Sequence, residues 1–256
     1  VGQAAELTPM QFLNEALAWL GNGAHWSGPG GIPARIGEHL ALAGAPLAVA
    51  LLVALPIGLY IGHTGRGALL AVSIGNIGRA LPSLGILGMV LPLTLPLTAH
   101  TDIPLGVPPT LIALFALAVP PMITNTHVGL REVDRDLLEA ARGMGMREMQ
   151  VLRRVELPLA LPVILAGVRT SAVQVIATAT LGAVLGTGGL GRYILDGISQ
   201  QDDGQLIVGA VLVALLAIGT ELAFAGIQRA SVSVGLRAAR QQQARQFAAQ
   251  APGPAA

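Results

Sequence analysis

The chain has 256 residues, 53% of them hydrophobic and 11% charged, with a mean hydropathy of +0.66, which is less than half the charge of an ordinary soluble domain. Several charge-free apolar stretches each run about 20 residues, the length that crosses a hydrocarbon layer of about 30 Å, so a secreted or cytosolic globular protein is excluded and an all-α, multi-pass protein of the cell (inner or plasma) membrane, surrounded by lipid, is indicated. A net charge of +1 with no basic domain or stripe excludes nucleic acid as a partner, and the absence of lysine and cysteine removes the P-loop lysine, lysine or thiolate nucleophiles and disulfides.

Residues 1–38 form an N-terminal extracytoplasmic segment. Thr8, Pro9 and Gln11 read as the N-cap, N1 and N3 positions of a short amphipathic helix with Met10, Leu13, Leu17 and Leu20 on one face, ended by Gly21-Asn22-Gly23. Two placements suit that face and Trp19: the membrane interface, or packing against the helix bundle. No basic region precedes an apolar stretch, so the start does not read as a signal peptide. Residues 39–228 form the membrane-spanning region, with five spans predicted at about 40–62, 80–99, 107–129, 159–185 and 206–227. The second is the weakest: its start slides back to Leu69 if Arg79 snorkels, and Pro92 and Pro96 kink it or end it early. Residues 229–256 are an Arg/Gln/Ala-rich tail, expected to be disordered at its end.

Cytoplasmic loops retain arginine and lysine. One set of alternate loops holds Arg66, Arg79, Arg131, Arg135, Arg142, Arg147, Arg153, Arg154, Arg229, Arg237, Arg240 and Arg245, and the other only Arg35 and Arg192. The N-terminus is therefore expected outside, the C-terminus inside, and the loop 130–158 in the cytoplasm. That loop is the only long polar segment between spans. Asp134 is placed to cap a helix through Arg142, with Leu137, Leu138 and Ala141 on one side; Gly143 and Gly145 impose a turn; a second helix carries Met146, Met149, Leu152 and Val155 before Pro158 starts the next span. Six arginines and six acids nearly cancel, so the knob suits a protein partner better than phosphate or anionic lipid.

Glu139-Ala140-Ala141, three residues, Gly145, nine residues, Val155, one residue, then Leu157-Pro158: this spacing resembles the EAA loop of ABC importer permeases, with Val155 in place of the usual isoleucine. The resemblance implies the five-helix core of the type I importer permease (MetI-like) fold. Through the loop it implies coupling helices seated on an ATPase subunit, with Glu139, Ala140, Ala141, Gly143, Gly145, Leu157 and Pro158 as the coupling residues. Pro120-Pro121-Met122-Ile123-Thr124-Asn125-Thr126, Val155 to Pro162, Gly167-Val168-Arg169-Thr170 and Gly186-Thr187-Gly188-Gly189-Leu190-Gly191 are further similar to permeases of glycine betaine, choline and carnitine uptake systems, over about residues 40–227. The implied function is the membrane-spanning subunit of an ATP-driven osmoprotectant importer that performs no covalent chemistry. Its implied partners are ATPase subunits, which bind ATP and magnesium; a separate extracytoplasmic substrate-binding protein; and a second copy or paralogue of the permease. This chain itself would carry no cofactor.

Within the spans, Arg169 and Glu221 are charges in an expensive place, open to pairing with each other or to contacting substrate. Asn125 and Thr126, with Thr170, either line a pathway or bond neighbouring helices. Gly186 to Gly191 matches the dinucleotide pattern G-x-G-x-x-G but has no strand before it, so a tight turn is expected rather than a nucleotide site. The five histidines lack ligand spacing, so no metal site is expected. Only eight residues are aromatic, too few for a cage around a quaternary ammonium within the spans, as suits a weak conduit served by a binding protein. Rival readings are a permease for another small polar amine or betaine-like solute, an ATP-independent secondary transporter using Arg169 and Glu221 as an ion-coupling pair, and a membrane scaffold.

Overall fold

The computed structural model describes residues 9–80, 82–99 and 101–231; the Thr8 cap, His100 and the tail with Arg237, Arg240 and Arg245 lie outside them. Every described element is helical. Helix α1 (Pro9–Gly21) is followed by a 3₁₀ turn whose start is capped by Asn22, its side chain accepting from the Ala24 amide. Helix α2 (Ile32–Thr64) begins inside the segment assigned to the N-terminal unit, because Gly31 can adopt the cap and Pro33 suits the first turn. It ends where Gly65 turns left-handed at φ 71°. Then come α3 (Ala68–Ala80), α4 (Ser83–Thr98), α5 (Val107–Arg131), α6 (Arg135–Gly143), α7 (Glu148–Val151), α8 (Leu157–Ala179), α9 (Gly191–Gln200) and α10 (Asp203–Ser231).

Among the described residues, four helical runs are long and apolar enough to cross a membrane: α2, α5, the run from Glu148 to Leu185 that contains α8, and α10. The span predicted at 80–99 coincides with α4, an apolar helix of 16 residues, and the alternative start at Leu69 falls in the separate helix α3. Pro82, in an extended conformation, serves as the N-cap of α4. Pro92 and Pro96 do not end α4, which runs on to Thr98.

In lipid there is little hydrophobic force between helices, so close contact and interhelical hydrogen bonds must hold them. Helix α2 supplies Ala50, Ala54, Gly58 and Gly62 at four-residue intervals, all buried, and this stripe lies against α5. A Cβ on Gly58 would stand 2.7 Å from Cβ of Thr126, and one on Gly62 2.6 Å from Cδ1 of Leu130. Gly167 of α8 seats in the same way on Asn125 of α5. Ala118, Met122, Ile123, Val168 and Val175 fill the core among these three helices. Ser171 Oγ donates to the Ala118 carbonyl at 2.7 Å, His39 Nε2 to that of Ile176 at 2.9 Å, and Gln228 Nε2 to that of Pro162 at 2.8 Å. Helix α10 leaves Val211, Leu215, Ile218 and Leu222 exposed, an apolar face suited to lipid.

Helix α1 divides the face predicted for it. Ala16 is buried and Trp19 and Leu20 pack on Ile32, Leu190 and Tyr193, whereas Met10, Leu13 and Leu17 are exposed. Trp19 stacks on His25 at 3.7 Å and meets Tyr193 edge-on at 5.3 Å. The Tyr193 hydroxyl donates to the Gly30 carbonyl at 2.6 Å, and burial pushes its phenol pKa up. The glycine run after α8 is the expected turn: Gly186 and Gly189 have φ of 83° and 85°. The Gly189 amide donates to Glu38 Oε2 at 2.8 Å, a carboxylate held in turn by Arg35 at 2.8 Å.

Candidate functional site

The arginine-rich end of the bundle carries a knob built from α6 and α7. Asp134 caps α6 by accepting from the Asp136 amide at 2.9 Å. The end of α6 is a Schellman turn, with the Met146 amide on the Ala141 carbonyl and the Gly145 amide on that of Arg142, and Gly145 left-handed at φ 82°. The turn therefore depends on Gly145. Gly143, expected to share that role, is an ordinary helical residue with open space where a side chain would go. Glu139, Ala140 and Leu137 are exposed, while Ala141 is buried and Leu138 packs toward Leu130 and Val133.

The second half departs from expectation. Pro158 does not start a new helix: the chain runs from Glu148 to Leu185 without a break. Proline lacks an amide and crowds the carbonyl four residues back, and the chain absorbs this in a π-helical segment, Leu152–Glu156, where the Leu157 amide bonds the Leu152 carbonyl. The inward residues are consequently Val151 and Glu156, 0% and 3% exposed. Of the predicted stripe, Leu152 packs inward, but Met149 is exposed, as is Met144 beside the turn. Leu157 packs against the Leu130 cluster, and Pro158 is exposed.

A chain of ionisable groups ties the knob together. Arg142 grips Glu148 with two hydrogen bonds of 3.0 and 3.1 Å, and that carboxylate holds the guanidinium pKa above its ordinary value. His63, at the end of α2, lies 2.6 Å from Glu156 through Nδ1 and 3.6 Å from Glu148 through Nε2. His63, Glu156 and Arg142, with Arg131, Arg135 and Glu139, line a polar cavity of about 320 Å³. Nothing in the linear pattern joins His63 to a carboxylate 93 residues away.

The pathway candidates separate into three places. Asn125 and Thr170 do meet, in a groove of about 220 Å³ among α3, α5 and α8 that Thr124, Pro121, Gly75 and Gln174 also line. Thr126 is not there: one residue is 100° around a helix, and it is 0% exposed, facing α2 at Gly58. Arg169 and Glu221 are also elsewhere, paired at 3.4 Å between α8 and α10. Gln174 went unnoticed in the sequence, although it lies four residues from Thr170 and so on the same helical face.

Residues 54–232 match the family described as Binding-protein-dependent transport system inner membrane component. The chain belongs to this family. It is similar to the glycine betaine/carnitine/choline transport system permease protein OpuCB of Bacillus subtilis (strain 168), with 36% identity over 203 residues covering 79% of this chain and 89% of that one. It is similar also to the choline transport system permease protein OpuBB of the same organism, 38% identical over 200 residues, covering 78% and 88%. Among solved structures it resembles inward-facing MetNI methionine ABC transporter, with a TM-score of 0.66, 25% identity, and coverage of 78% of this chain and 95% of that chain. The chain is thus an ABC importer permease, a multi-pass inner-membrane component with the all-helical fold expected. Its relatives are permease subunits and not themselves enzymes.

Proposed function

We propose that this chain is the membrane-spanning subunit of an ATP-driven importer for osmoprotectants of the glycine betaine, choline and carnitine type. The observation that carries the coupling mechanism is the knob. Its exposed Glu139, Leu137, Met144 and Met149 form a mixed surface, methionine adapts readily to a partner, and α7 continues unbroken into α8. A partner that pulls on the knob would therefore lever a core helix. Separate ATPase subunits, holding ATP and magnesium, seat against Glu139, Ala140, Ala141 and the turn at Gly145. Their closure draws two such knobs together and rocks the helices between inward and outward access.

The arginine bias places the knob in the cytoplasm and the N-terminus outside. The groove at Asn125, Thr170 and Gln174 is open along one side, which suits a pathway completed by a second permease copy or a paralogue. It has no aromatic lining residue, so tight recognition of a quaternary ammonium falls to a separate extracytoplasmic binding protein. The Arg169–Glu221 pair lies away from this groove, which favours a structural role and counts against an ion-coupled carrier. The relatives' names support the osmoprotectant class; another small polar amine or betaine-like solute is the second choice.

The test is uptake of labelled glycine betaine and choline into proteoliposomes holding this chain, its ATPase and its binding protein. Uptake that requires ATP is expected. Hydrolysis without movement of either compound would leave the permease mechanism and replace the substrate class; uptake without the ATPase would sink the mechanism.

A further inference from the structure

We propose that His63 is the positioning residue through which the knob moves α2, with the buried Glu156 carboxylate as its grip. This rests on the ATP-driven reading above and adds a second mechanical connection to it. The knob is joined to α8 by continuous helix. No extensive backbone packing among the described residues joins α2 to α6 or α7, yet α2 carries the small-residue stripe on which the bundle is built. What bridges the two is His63, 2.6 Å from Glu156 and 3.6 Å from Glu148.

Three observations argue that this bridge is built for the purpose. The Glu156 side chain is 4% exposed and that of His63 15%, and a carboxylate so far out of water requires a partner. The π-helical segment imposed by Pro158 turns that carboxylate toward α2. Glu148 then links His63 to Arg142, so α2, α6, α7 and the π segment share one set of charges, and a push on the turn at Gly145 reaches α2 and α8 together. Farther from the knob, α2 and α8 are already tied by their shared core and by His39 on the Ile176 carbonyl; His63 adds the tie at the knob end.

The experiment measures solute moved and ATP hydrolysed in the same proteoliposomes. His63→Ala is expected to keep hydrolysis near wild type and to lower solute moved per ATP about tenfold. His63→Gln, whose amide can still donate to Glu156, should recover a large part of that loss, which a general packing defect would not. The double variant His63→Ala/Glu156→Gln should be no worse than His63→Ala alone, because the two act as one unit. An unchanged ratio in His63→Ala, no recovery in His63→Gln, or additive losses would each overturn the proposal. If His63→Ala fails to insert, Glu156→Gln decides: a ratio lowered severalfold supports the grip and an unchanged one rejects it. Absence of ATP-dependent uptake in the wild type would instead condemn the functional reading. The grip is then judged on the purified chain in detergent, where faster trypsin cleavage after Arg142 and Arg147 in His63→Ala or Glu156→Gln than in wild type supports it and equal rates reject it.

Discussion

Gly143 and Gly145 lie two residues apart, but only Gly145 holds a backbone angle, φ 82°, that side chains resist. A β-branched residue there costs about 1–2 kcal/mol or more in local strain and should misalign α6 against α7. Gly145→Val is expected to insert and bind its ATPase but to move roughly tenfold less solute per ATP hydrolysed, since a displaced coupling geometry loses rate steeply. Gly143→Ala should behave as wild type in the same assay, because a Cβ there meets nothing within 4 Å. Both glycines were legible in the sequence as turn residues. Which of them bears the left-handed angle was not, because the end of α6 can slide by a residue or two without changing the pattern.

At the scale of elements, the seam between α2 and α5 depends on small residues where the backbones meet. Gly58→Val must push against Thr126 at 2.7 Å, an overpacking that costs about 1–3 kcal/mol. It should lower Tm in detergent by roughly 2–12 °C. Gly44→Ala, on the exposed side of the same helix with open space around it, is expected to leave Tm unchanged or slightly raised. The helix itself was plain from its apolar run, and so were α5, α8 and α10. The start of the second span near residue 80 was legible as well, at the boundary between α3 and α4; the fusion of α7 with α8 was not, although Pro158 marks the place. Pro82 caps a helix while Pro158 is absorbed by a π-helical segment, and the choice between those outcomes rests on whether neighbouring helices support the continued run.

At the scale of the whole molecule, the proposed function makes the groove among α3, α5 and α8 one wall of the pathway. Its polar residues should matter for transport and those just around the helix should not. Gln174→Leu is expected to lower uptake about tenfold with hydrolysis retained, whereas Thr126→Val, which removes a buried hydroxyl without a hydrogen-bond partner facing α2, should stay within about twofold, since only the first costs a polar contact in the groove. Equal effects from the two would show that the groove is not the pathway. The Arg169–Glu221 pair, outside this groove, joins α8 to α10 at 3.4 Å.

The amino-acid sequence by itself determined that this is a multi-pass helical membrane protein, where most of its spans lie, and that a capped, glycine-turned knob interrupts them. Those features depend on local chemistry: apolar run length, a cap at Asp134, a glycine at 145, and the spacing from Glu139 to Pro158. Only the tertiary structure decided which polar residues share a face, that Thr126 turns to α2 while Asn125 meets Thr170 and Gln174, and that His63 reaches Glu156. Such pairings depend on how helices rotate and approach one another. That is settled by packing summed over the whole bundle, which no window along the chain contains.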